Sequence, residues 1–211
     1  MVSSFCEKKS AEATILVQFQ PFLTLIVCVL NLLCSLVATV ANVLVIYALW
    51  KASSIPAKKL LLSLAFSDLA VGLFVQPMFG VVIAVMLNMA ACGNYNFDYV
   101  CPAVLTTTMF SAYYLAGVSF FTIAAIALDR FLAVTLHLRY QSLVTDKRVS
   151  AGLAILWLAT GLATVVLISL HNHNNLVSAI VQSVGFAVIT GFYLRIYKVV
   201  RHHQNQIHSQ R

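Results

Sequence analysis

The stretch "FLTLIVCVLNLLCSLVATVANVLVIYALW", Phe22 to Trp50, contains no charged residue. A helix needs about 20 mostly apolar residues to cross the hydrocarbon core of a bilayer, and this run is longer than that. It is also too long for the core of a secretory signal. The residues before it hold Glu7, Lys8, Lys9 and Glu12 and lack the order of a basic start, short apolar core and small-residue cleavage site. The run therefore reads as an uncleaved first membrane span.

The rest of the chain agrees. Of its 211 residues, 61% are hydrophobic and 9% charged, whereas a soluble domain carries roughly 25% charged residues. Too little polar surface remains to cover a water-soluble globule. Four further apolar stretches of spanning length follow, at 60–87, 100–136, 149–170 and 176–200. They do not alternate apolar and polar residues as barrel strands do. The expected fold is an all-α membrane protein of five transmembrane helices. Residues 1–21 form a short outer N-terminus, 22–200 the membrane domain and 201–211 a basic inner tail.

Orientation follows from lysine and arginine, which concentrate on the cytoplasmic side. With the N-terminus outside and the C-terminus inside, one face collects Lys51, Lys58, Lys59, Arg130, Arg139, Lys147, Arg148, Arg195, Lys198, Arg201 and Arg211. Only Lys8 and Lys9 fall on the other face. The net charge of +7 is thus a matter of topology, and no nucleic-acid partner is expected. No lipidation motif and no Asn-x-Ser/Thr acceptor is present.

Polar residues inside the spans carry the functional signal, because ionisable groups in the membrane are costly and usually have a purpose. Asp68 lies well inside the second span, in "SLAFSDLAVGLFVQPM"; Asn42 lies inside the first and Ser119 inside the third. Asn42 and Ser119 also suit plain hydrogen bonding between helices. Pro77, nine residues after Asp68, should bend the second helix. Trp157 falls near the start of the fourth span, a common place for a packing residue. Asp129 and Arg130 stand side by side in "AIALDRFLAV" at the cytoplasmic end of the third span, where arginine can reach for the headgroups. Arg195, Lys198 and Arg201 recur at helical spacing and suit anionic lipid. The histidines at 171, 173, 202, 203 and 208 lack a metal-ligand arrangement, so no metal is expected. No nucleophile–base set, phosphate-binding loop or cofactor motif is visible, and the chain does not read as an enzyme.

Taken together, these residues resemble the rhodopsin-like (class A) family of G-protein-coupled receptors. The resemblance lies in Asn42 of "ANVLV", Asp68 of "SLAFSDL", Asp129, Arg130 and Phe131 of "LDRFLAV", Trp157 of the fourth span, and Tyr193 of "FYLRIYKVVRHHQ". Phe131 stands where the family carries tyrosine. The resemblance implies a plasma-membrane, multi-pass receptor that relays an extracellular ligand to a heterotrimeric G protein. It implies that Asp129 holds Arg130 at rest, and that release turns Arg130 toward the G protein and Tyr193. It also implies a sodium site around Asp68 and Ser119, with Asn42 nearby; no other cofactor is expected. Candidate pocket residues on the third span are Ala112, Tyr113 and Ala116. Amine receptors carry aspartate at the position of Ala112, so a cationic amine ligand is disfavoured.

Several features depart from the family. The chain ends after five spans, so it reads as a truncated receptor without helices six and seven. Such a form suits a second role, in which it signals poorly itself and pairs with full-length receptor chains to modulate them. The fifth-span proline is replaced by Gly185. The second outer loop, "HNHNN", has no cysteine for the family's usual bridge. Cys92 and Cys101 could bridge each other, or either could pair with Cys6; the sequence leaves these alternatives open.

Overall fold

The computed structural model describes residues 19–51, 56–91, 104, 106–136 and 140–169, together with helical positions 180, 183, 184, 187, 190, 191, 194, 195 and 197. Four helices are long and apolar enough to cross a membrane: Pro21–Lys51, Ala57–Asn88, Thr106–Leu136 and Asp146–Ile168. All regular structure among the described residues is helical. The expected fifth span falls mostly outside the described residues, as do Tyr193, Cys92 and Cys101.

The bundle is arranged for lipid. Large apolar side chains of the first helix, such as Leu30, Leu36 and Trp50, are exposed, while the interior holds Ser67, Thr108, Thr122, Thr160 and Thr164. Small polar residues let helices approach closely and bond across the contact. Many of these hydroxyls are satisfied within their own helix. Thr108 donates to the Val104 carbonyl at 2.7 Å, Thr160 to Leu156 at 2.7 Å and Thr164 to Thr160 at 2.8 Å. That is how a threonine sits mid-span without an orphaned donor.

The second span is not one regular helix. It runs as Pro56–Ala70, then a π-turn over Val71–Val75, then Gln76–Ala91. Within the π-turn the Gln76 N–H bonds the Val71 carbonyl, five residues back. In that register the next donor, owed to the Gly72 carbonyl, would come from residue 77. Pro77 has no N–H. The Ser35 hydroxyl of the first span supplies the bond instead, at 2.7 Å. The carbonyl left free beside Pro77 is thus satisfied by a neighbouring helix, at a π-turn.

Ser35 has company. Asn31 Nδ2 donates to the Gln76 carbonyl at 2.7 Å, and Cys28 Sγ to the Gly80 carbonyl at 3.6 Å. The donors 28, 31 and 35 share one face of the first helix, and the acceptors 72, 76 and 80 share one face of the second. Gly72 makes the approach possible. A Cβ there would lie 2.8 Å from Thr39 Oγ1 and 3.2 Å from both the Ser35 carbonyl and the Thr39 nitrogen. Gly117 serves the third and fourth spans in the same way, since a Cβ would meet Thr160 Cγ2 at 2.7 Å.

At the N-terminal ends of the second and fourth spans, Lys59 Nζ lies 3.4 Å from Asp146 Oδ2 and donates to Ser150 Oγ at 2.9 Å, tying the two together. A single helical turn, Tyr140–Leu143, joins the third span to the fourth. Arg148 Nη1 donates to the carbonyls of Ser142 at 3.4 Å and Leu143 at 3.0 Å, closing the end of that turn.

Candidate functional site

Two acidic centres emerge, one mid-bundle and one near the loop that joins the third and fourth spans. In the middle, Ser119 Oγ donates to Asp68 Oδ1 at 2.6 Å. Ser119 also shares a hydrogen bond of 2.8 Å with Ser67, whose hydroxyl lies 2.9 Å from the Leu64 carbonyl. The second and third spans are thereby joined by a carboxylate and two hydroxyls. Asn42 does not join them through its amide, which donates to Ala38 of its own helix at 2.9 Å. Of the expected trio, the structure brings Asp68 and Ser119 together, adds Ser67 and leaves Asn42 apart. The oxygen donors are of the type a hard cation takes.

Trp157 anchors the fourth span to the second. Its Nε1 donates to Ser63 Oγ at 3.0 Å. Its ring meets Tyr114 edge to face at 6.0 Å, and Tyr114 stacks on Phe110 at the same separation. Of the candidate pocket residues, Ala112 and Tyr113 are half-buried and Ala116 is exposed.

Toward the C-terminal end of the third span, Asp129 is buried while the Arg130 side chain is half exposed. Arg130 Nε stands 3.9 Å from Asp129 Oδ2, so the pair is long. The shorter bond comes from Tyr140, whose hydroxyl donates to Asp129 Oδ1 at 2.6 Å. The Tyr140 hydroxyl is pushed up to about 12. Burial is the main cause; the hydrogen bond and the charge of Asp129 add to it, and Arg130 opposes it. The carboxylate is thus divided between a phenol on the loop and a guanidinium on the same helix.

Phe131 is half-buried, and the Arg195 guanidinium lies 5.9 Å from the centre of its ring. That is within cation–π range. Arg195, read as suited to anionic lipid, is exposed and also reaches the third span. Sequence reasoning missed Tyr140, Ser67, Ser63 and Ser35. Ser63 and Ser67 stand one helical turn apart just before Asp68, a pattern that could have flagged them. Tyr140 offers no local signal, because it reaches Asp129 only once the loop folds back.

The chain is thus a set of long apolar helices with one carboxylate bonded between two spans and a second beside an arginine at one end. The sequence model of the family described as "7 transmembrane receptor (rhodopsin family)" matches residues 41–185. The chain belongs to this family and is a multi-pass plasma-membrane protein. Among curated relatives, the adenosine receptor A2b of Homo sapiens is 35% identical over 131 residues, which is 61% of this chain and 36% of the relative. The A2b receptor of Rattus norvegicus is 33% identical over 133 residues, 61% of this chain and 36% of the relative. The adenosine receptor A2a of Canis lupus familiaris is 34% identical over 125 residues, 58% of this chain and 27% of the relative. The chain matches about a third of the length of these relatives.

Proposed function

We propose that this chain supplies the first spans of a receptor that passes an extracellular signal to a heterotrimeric G protein. The observation that carries this reading is the divided carboxylate of Asp129. Its buried oxygens meet Tyr140 and Arg130, and Arg130 is half exposed at the inner surface. In the resting state Asp129 holds Arg130 back. Activation frees the guanidinium, and the ligand biases this equilibrium by binding one state more tightly than the other.

The ligand in this reading is a neutral molecule of the adenosine class. Two features support it: the relatives are adenosine receptors, and Ala112 offers no carboxylate to pair with an amine. Asp68, Ser119 and Ser67 supply oxygen donors suited to sodium, and such an ion would hold the second and third spans together.

The test is a complementation assay. The chain is co-expressed with the remaining spans of a human A2b receptor, and G-protein dissociation is followed on addition of adenosine. A dose-dependent response at measured surface expression is expected. No response at surface levels matching an intact receptor would contradict the reading.

A further inference from the structure

Three consecutive side chains near the C-terminal end of the third span point in three directions, because successive residues of an α-helix are turned by about 100°. Asp129 is buried and accepts the phenol of the Tyr140–Leu143 turn. Phe131 stands two positions on, roughly 200° round the helix, and is half-buried. Arg130 falls between them with its side chain half exposed. A small rotation or tilt of this helix end therefore re-aims Arg130. Whatever holds the two flanking side chains sets the direction of the guanidinium.

Tyr140 holds one flank. On the other, the Arg195 guanidinium lies 5.9 Å from the centre of the Phe131 ring, inside the reach of about 6 Å that a cation–π contact allows. Charge explains why Arg195 takes a ring rather than a carboxylate. Asp129 is engaged by Tyr140 and Arg130, and Asp146 by Lys59. No Asp or Glu follows Asp146 in the sequence. A guanidinium is planar and weakly hydrated, so it can lie against a ring while its outer donors stay in water or among headgroups. That fits the exposure of Arg195. Phenylalanine suits the task because its ring carries no hydroxyl to draw the guanidinium away from the π face.

We propose that Arg195 and Phe131 form a clasp that fixes the fifth apolar stretch against the third span, and that Arg195 thereby acts as a positioning residue for Arg130. The phenol of Tyr140 and the guanidinium of Arg195 grip opposite flanks of the same helix end. Loosening the Arg195 side lets that end turn and weakens the hold of Asp129 on Arg130. The effect on signalling rests on the latch described above, whereas the clasp itself does not.

The experiment replaces Phe131 with phenylalanines bearing one, two or three ring fluorines, which withdraw charge from the π face and barely change the size. Amide hydrogen exchange around Arg195 is followed on the full chain in detergent micelles. Exchange should quicken with each fluorine. It should reach about two- to fivefold with Arg195→Gln, the equilibrium equivalent of an exposed cation–π contact. Phe131→Leu should match Arg195→Gln, and the double variant should exceed neither. Phe131→Trp should slow exchange, and Arg195→Lys should keep part of the protection. In the complemented receptor, Arg195→Gln should raise ligand-independent output by about the same factor at equal surface expression. Exchange indifferent to fluorination would overturn the clasp, as would additive effects of Phe131→Leu and Arg195→Gln. Fluorine-sensitive exchange with unchanged ligand-independent output would overturn the positioning role. Exchange is read on the chain alone, so a wild-type receptor silent to adenosine would sink the latch reading and not the clasp.

Discussion

The middle of the bundle and the end beside the Tyr140–Leu143 turn each hold a carboxylate, but in different settings. Asp68 is bonded through Ser119 to Ser67, and both serines sit on long membrane helices. Beside it, Ser35, Asn31 and Cys28 join the first span to the carbonyls around the π-turn. Asp129 draws its short bond from Tyr140, which stands on a single helical turn in a loop, and its long one from an arginine half in water. One centre fixes helices to one another. The other takes its short bond from a donor outside the long helices. The same acidic group is thus held by partners on packed helices in one place and by a loop phenol and a half-exposed guanidinium in the other, the setting that the proposed latch requires.

The largest expected effect lies in the middle. Gly72→Val places side-chain atoms against the Thr39 and Ser35 backbone, which cannot yield as a flexible side chain would. Overpacking of this kind typically costs about 1–3 kcal/mol, and a contact on backbone belongs at the upper end. Thermal unfolding in detergent should show a large loss, or no folded protein. A wild-type melting temperature would show that the first and second spans do not approach as described.

Next comes Asp68→Ala. It leaves Ser119 and Ser67 bonded to each other without their carboxylate acceptor. An unmet buried polar group costs about 1–3 kcal/mol, so melting should fall, with G-protein output falling only as far as folded receptor does. If Asp68→Ala raised basal signalling at constant stability, the mid-bundle acid would be a switch too, and the contrast would fail.

A smaller effect belongs to Tyr140. Tyr140→Phe removes the short bond and frees Asp129 Oδ1, so Arg130 should gain the carboxylate and basal signalling should drop modestly. The tyrosine also has a pH signature. Its hydroxyl titrates at about 12 in the folded chain against 10.0 for an ordinary tyrosine. The neutral phenol therefore favours folding. This contribution is complete below pH 10, declines between the two values and is gone once the pH has risen through 12. Absorbance of tyrosinate should show a late-ionising contribution that Tyr140→Phe removes. Identical titration curves for the two proteins would show that the phenol is not held by Asp129.

Much of this was legible in the sequence because the bilayer imposes strict rules. Span lengths follow from hydrocarbon thickness, so helices at Pro21–Lys51 and Thr106–Leu136 lie close to the stretches read as 22–50 and 100–136. Asp68 and Asp129 stood out because a charge in such surroundings is conspicuous. The partners were harder to see. Serine and threonine are common in membrane helices, and most bond their own helix, as Thr160 and Thr164 do. Nothing local separates those from Ser35, whose role depends on a carbonyl freed by a proline on another helix. Asn42, matched to the site by resemblance, donates its amide to its own backbone, a bond that no local pattern announces. Tyr140 was hidden because its contact depends on how the loop folds back.

The central claim is that Asp129 restrains Arg130. Its most direct test is basal G-protein activation by Asp129→Asn in the complemented receptor, measured without ligand and normalised to surface expression. Asparagine keeps the size and a hydrogen-bond acceptor for Tyr140 but removes the charge that attracts the guanidinium. Basal activity several-fold above wild type is expected, with the ligand response retained. Basal and ligand-stimulated activity both equal to wild type would contradict the account.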